Sequence, residues 1–127
     1  MHFKIVTIFP KELSNSLSYG VVGNAINDNT IRIDYFDPRD HSDNKYGSID
    51  DKPYGGGPGM VMQAKPVLES IDQARDNNID IPVYFLSPRG KTFNQNKAKE
   101  LSKMDKIVLV SSRYEGLDQR AIDQTDN

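Results

Sequence analysis

Cysteine is absent from this chain of 127 residues, so neither disulfides nor thiolate metal sites are available. That composition fits the cytosol without requiring it. Histidine occurs only as His2 and His41, far apart in sequence, and no zinc site is expected. No apolar run is long enough to span a membrane, and no charged-then-apolar leader is expected. An excess of positive charge is also missing. The formal net charge of -2 argues against a broadly basic nucleic-acid binder while leaving room for a local patch. Hydrophobic residues make up 36% and mean hydropathy is -0.64, polar for a self-sufficient globule, although the length suits one domain with a real core. The sequence shows no internal repeat, linker or low-complexity tail.

The chain does have alternation. Phe3 to Phe9 is an apolar run rich in β-branched residues, closed by Pro10, and reads as a buried strand. Lys11 to Leu17 reads as a helix with Leu13 and Leu17 on one face, and Val21 to Ile26 as a second short helix. Asn27-Asp28-Asn29 marks a turn before a strand at Ile31 to Phe36, with Ile31, Ile33 and Tyr35 on one side. From Asp37 to Met60 the composition predicts loop, of a length that is usually functional or mobile. A helix is expected from Pro66, its stripe made of Val67, Leu68, Ile71 and Ala74, ending at Asn77-Asn78. Pro82 to Leu86 reads as a strand. Asn94 is a candidate N-cap for a helix turning Ala98 and Leu101 inward. Ile107-Val108-Leu109-Val110 is a continuous apolar run of the kind parallel sheets require. Strand, helix, strand, helix, strand implies a layered α/β sheet with right-handed crossovers. Lys97, Lys99, Lys103 and Lys106 cluster in sequence and read as a solvated helix face.

The string from Asp50 to Met60, DDKPYGGGPGM, packs four glycines and two prolines into eleven residues. It can be neither helix nor ordinary strand. Glycine is kept where backbone turns sharply or approaches something closely, and Pro53 and Pro58 stiffen the loop. Such a surface suits a planar or phosphate-bearing ligand; a plain surface turn is the alternative reading. Two further loops, Ser87 to Gly90 and Ser111 to Gly116, follow predicted strands, where open α/β sheets bind ligands. Arg113 and Glu115 could simply steady their loop. Asp50, Asp51 and Asp118 are carboxylates by type, with solvated loop positions as the default.

Taken in order, Ile8-Phe9-Pro10, Tyr19-Gly20-Val21-Val22-Gly23, Pro38-Arg39-Asp40, the glycine-rich string, Leu86-Ser87-Pro88-Arg89-Gly90 and Arg113-Tyr114-Glu115-Gly116-Leu117-Asp118 resemble the bacterial tRNA (guanine-N1)-methyltransferases. The likeness covers essentially the whole chain, which resembles the front half of that family's longer sequences. It implies an α/β fold of the SPOUT type, a layered parallel sheet with an incomplete trefoil-knot region. It also implies methyl transfer from S-adenosyl-L-methionine to N1 of the guanine 3′ of the anticodon. Residues 1–127 would be the N-terminal cofactor-binding domain, truncated before the last cofactor loop and the C-terminal tRNA-binding domain.

By the same resemblance, Phe85, Leu86, Ser87, Pro88, Gly90, Ser112, Arg113, Tyr114, Glu115 and Gly116 would bind S-adenosylmethionine. Arg113 and Glu115 would also position the methyl donor and target base, with the general base expected beyond Asn127. Asp50, Tyr54, Gly55, Gly56, Gly57, Pro58 and Gly59 would shape the guanine pocket. The expected partners are tRNA and a second copy of the chain, with no membrane, in the cytoplasm; magnesium is possible, without a site that the sequence identifies. Ser111-Ser112 stands where the family usually reads Cys-Gly, and Phe85, beside Tyr84, where a tyrosine is common. The 127-residue chain alone is expected to be inactive. The alternative is a non-catalytic remnant that binds a nucleoside or RNA, or only dimerises; a related enzyme with another RNA target is a third.

Overall fold

The structure is a computed structural model, and it describes residues 1–41, 50–51, 61–62, 64–87 and 90–111. In chain order the elements are β1 (His2–Val6), α1 (Pro10–Ser16), α2 (Gly20–Asn27), β2 (Arg32–Phe36), a 3-10 turn (Pro38–His41), β3 (Asp50–Asp51), β4 (Val61–Met62), α3 (Ala64–Arg75), β5 (Val83–Leu86), α4 (Gln95–Ser102) and β6 (Lys106–Ser111). Four strands form one parallel sheet in the order β2-β1-β6-β5. This is the α/β class that the alternation predicts.

Period-two side-chain direction divides the sheet into two faces. Val6, Val83, Phe85, Val108 and Val110 point one way and close on Val67, Ile71 and Ala74 of α3, with Ile8 and Ile81 completing a dry core. Leu68 packs against its margin. The predicted stripe of α3 is therefore the one that docks. The helix begins two residues earlier than Pro66, because an imide in the first turn removes only an N–H that lacks an intrahelical acceptor. It ends where Asp76 and Asn77 enter the left-handed region, at φ 49° and 66°, a conformation short polar side chains tolerate. Lys4 lies on this apolar face, buried, and its ammonium donates to the Ala74 carbonyl at 2.5 Å. The charge is tolerated there because the last carbonyls of a helix carry its negative end.

The predicted loop from Asp37 contains more structure than its composition announced. Asp37 Oδ1 accepts the Arg39 N–H at 2.9 Å, and Asp37 Oδ2 accepts from the Arg39 guanidinium at 2.8 Å. These bonds wind Pro38–His41 into the 3-10 turn, and they raise the Arg39 pKa against partial desolvation. His41 then clips the turn to α3, its Nε2 3.0 Å from Gln73 Oε1 and its Nδ1 3.4 Å from Glu69 Oε2. His2 is likewise taken by a carboxylate, Asp34, at 2.7 Å. Asp50 and Asp51 pair antiparallel with Met62 and Val61. The first two residues of the glycine-rich string are thus paired with the two that follow it, while 52–60 lie outside the described residues. The knot falls outside them too.

Two substitutions test this packing. A Cβ at Gly23 would run into the Ser18 carbonyl, rigid backbone that cannot yield cheaply. Gly23→Ala is expected to destabilise the chain by about 1–3 kcal/mol, read from urea unfolding midpoints. Ser70 is fully buried in α3, and its hydroxyl has no hydrogen-bond partner among the described residues. Burying that group costs free energy, so Ser70→Ala is expected to be neutral or stabilising by about 1 kcal/mol in the same measurement.

Candidate functional site

Because every strand of the sheet is parallel, all four carboxyl ends emerge at one edge, where open α/β sheets bind ligands. Along that edge lie the segment after β1, the 3-10 turn after β2, the loop after β5 and the end of β6 at Ser111. The first is held by Thr7, whose N–H donates to the Phe36 carbonyl and whose Oγ1 accepts from Phe9 N–H at 3.1 Å. The loop after β5 closes on itself through Gly90 N–H donating to the Ser87 carbonyl at 3.2 Å.

A cleft of about 1200 Å³ opens beside this loop, on the face of the sheet away from α3. One wall is the sheet, with Phe3, Tyr84, Ile107 and Leu109; the other is α4, with Lys97, Ala98 and Leu101. Leu86, Ser87, Gly90 and Phe93 lie at the carboxyl end. No side chain of α4 is fully buried, so the helix stands off the sheet instead of sealing it. Leu86 is 53% exposed and Phe93 68% exposed, large apolar surfaces available to a ligand. Among the described residues the charges within reach are Lys91, Lys97 and Glu100, and Lys97 pairs with Glu100 at 3.5 Å. Among the described residues, no group of three His, Asp or Glu side chains is placed to hold a metal ion.

Of the residues expected to bind a cofactor, Leu86, Ser87 and Gly90 line this cleft together. Phe85 reaches its edge, but its ring is buried in the core against α3. Pro88, Ser112, Arg113, Tyr114, Glu115 and Gly116 lie outside the described residues, as do Tyr54, Gly55, Gly56, Gly57, Pro58 and Gly59. Of Asp50 only the backbone pairing is described. Asn94 is the predicted cap: its Oδ1 accepts Lys97 N–H at 2.9 Å. Sequence reasoning passed over Tyr84 and Lys97 as site residues. Lys97 is no solvated-face lysine, since its ammonium sits 5.0 Å from the Tyr84 ring centroid, inside the cleft. The only signal was the alternation of β5, which sends Tyr84 opposite to Phe85.

Comparison with known proteins agrees with this fold. The profile of the family described as tRNA (Guanine-1)-methyltransferase TrmD matches residues 1–127. A tRNA (guanine-N(1)-)-methyltransferase of Buchnera aphidicola subsp. Schizaphis graminum is 52% identical over 121 residues, covering 95% of this chain and 46% of the relative. One from Caldanaerobacter subterraneus subsp. tengcongensis is 42% identical over 120 residues, covering 94% and 49%. The crystal structure of tRNA (m1G37) methyltransferase from Aquifex aeolicus superposes with a TM-score of 0.88 at 35% identity, covering all of this chain and 57% of that one. The chain therefore spans about half the length of the curated relatives it matches. With a match that runs from the first residue to the last, the chain belongs to the tRNA (guanine-1)-methyltransferase TrmD family.

Proposed function

We propose that residues 1–127 form the cofactor-binding front part of an enzyme that methylates N1 of the guanine immediately 3′ of the anticodon in tRNA, with S-adenosyl-L-methionine as methyl donor. The observation that carries this reading is the family match over the entire chain together with the loop from Leu86 to Gly90 on the open cleft. In this reading catalysis belongs to a longer protein, partnered by tRNA and by a second copy of the chain in the cytoplasm; that the chain spans about half the length of its relatives supports it.

The residues present suit a nucleoside-bearing cofactor. Leu86 and Phe93 offer exposed apolar surface for a flat base. Gly90 adds no side chain to crowd a ligand. S-adenosylmethionine supplies an electrophilic methyl group on a sulfonium. The protein has two tasks, positioning and charge control. Holding the reactants in line supplies much of the rate. Guanine N1 is a poor nucleophile until deprotonated, so a base must take its proton and a cation must stabilise charge spreading onto O6. In this reading Arg113 is that cation, and Glu115 orients the base. Asp50, Tyr54 and the glycine-rich string border the guanine.

The deciding experiment joins residues 1–127 to the C-terminal part of the Buchnera relative and assays methyl transfer to tRNA with guanine, or adenine, 3′ of the anticodon. The fusion is expected to methylate only the guanine form, and the 127-residue chain alone neither; a fusion that folds, binds tRNA and transfers nothing would overturn the reading. In the fusion, Arg113→Ala is expected to lower kcat by about 10²–10³, the scale of losing one preorganised charge stabiliser. Gly90→Ala is expected to leave the unfolding midpoint unchanged, because a Cβ there would sit 3.4 Å from the Ser87 carbonyl. Its cofactor Kd, by calorimetry, should weaken about tenfold.

A further inference from the structure

α4 forms one whole wall of the cleft, yet buries no side chain completely. Something must hold it at its distance from the sheet. Two bonds meet at one residue. The Lys97 N–H donates to Asn94 Oδ1 at 2.9 Å, fixing the end of the loop to the first turn of α4. The Lys97 ammonium lies 5.0 Å from the centroid of Tyr84 on β5. Lys97 thereby links Tyr84 on β5 to Asn94 at the start of α4.

From this geometry we infer that Lys97 and Tyr84 are a latch: a cation–aromatic contact that holds α4 over the open sheet face and so positions the Ser87–Asn94 loop. They are positioning residues, acting through the loop. The contact suits the place. The Lys97 side chain is 34% exposed, and its neighbour Glu100 is 59% exposed. The ammonium is therefore partly withdrawn from water, which strengthens its attraction to a ring face, while the Glu100 carboxylate stays solvated. Tyr84 can take this role because β5 turns it to the cleft side while Val83 and Phe85 enter the core. Lys97 sits in the first turn of α4, so a modest pull there governs both the helix and the loop that precedes it.

The test is a double-mutant cycle on the 127-residue chain, read by amide hydrogen exchange of residues 97–102, with urea unfolding measured in parallel. Tyr84→Leu and Lys97→Met are each expected to speed exchange in α4 by about 2- to 5-fold, the fold-change of one such contact. The double variant is expected to be no faster than either single one. Tyr84→Phe and Lys97→Arg keep a ring and a cation and are expected to match the parent, whereas Glu100→Gln is expected to change nothing. Additive effects in the double variant, or unchanged exchange in both single variants, would overturn the latch. If Tyr84→Leu does not fold, Lys97→Met against Lys97→Arg decides alone.

A second readout rests on the proposed function. In the fusion with the Buchnera C-terminal part, S-adenosylmethionine Kd is expected to weaken 2- to 5-fold in Lys97→Met and to recover in Lys97→Arg. A fusion that binds no S-adenosylmethionine while the exchange cycle behaves as expected removes the functional reading and supports the latch. Normal exchange coupling with an unchanged Kd would overturn the positioning of the loop.

Discussion

Parallel pairing of β1 with both of its neighbours is the constraint on which the rest of this structure depends. His2 stands opposite Arg32 on one side and Lys106 on the other, and Val6 opposite Phe36 and Val110. Three strands therefore start level and finish level. A parallel ladder cannot be closed by a hairpin, so the chain must return across a face of the sheet each time. The returns are what bring α2, α3 and α4 into being as layers. The level finish is what sets the segments after β1, β2, β5 and β6 side by side, although up to 104 positions, from Thr7 to Ser111, separate them in sequence.

The two faces of that sheet are packed differently. Against α3 the packing is dry, built from valines and isoleucines that are stiff and fit a pleated surface. Even the one lysine in that layer is turned to a structural use at the end of the helix. On the other face Ile5 and Ile107 are buried, Tyr84 and Leu109 keep part of their surface exposed, and α4 buries no side chain completely. A core closed on both sides would give a more stable sheet and no binding surface. Among the described residues the cleft lies between this face and α4, a short, polar helix that buries no side chain completely.

Much of the scaffold was legible in the chain because its signals are local. The apolar run at Ile107–Val110, the stripe of α3 and the Asn94 cap each depend on spacing within a few residues. Strand order was not legible, because nothing local says that β6 inserts between β1 and β5. The 3-10 turn was missed because it rests on one side chain, Asp37, bonding its own backbone two residues on, and on His41 reaching Gln73. At the site, Leu86, Ser87 and Gly90 could be picked out by their motif. Lys97 could not, since a lysine in a charged helix has a solvated face as its default, and only the register of β5 brings Tyr84 to meet it.

The motif residues themselves divide by purpose once the structure is known. Asp37 and Pro38 are accounted for by the turn they build, Asn94 by its cap, and Gly23 by the Ser18 backbone against which it packs. Gly90 is different: its backbone lies outside the left-handed region, and a methyl group there would meet the Ser87 carbonyl only at the edge of ordinary contact. Leu86 is a large apolar residue that stays more than half exposed, and no packing among the described residues accounts for it. A fold-only requirement explains neither the missing side chain nor the exposed one. A ligand that lies across the carboxyl end of β5 explains both, since it needs close approach to the backbone at one point and apolar contact at the other. The case for chemistry at this edge thus rests on the residues that packing leaves unexplained.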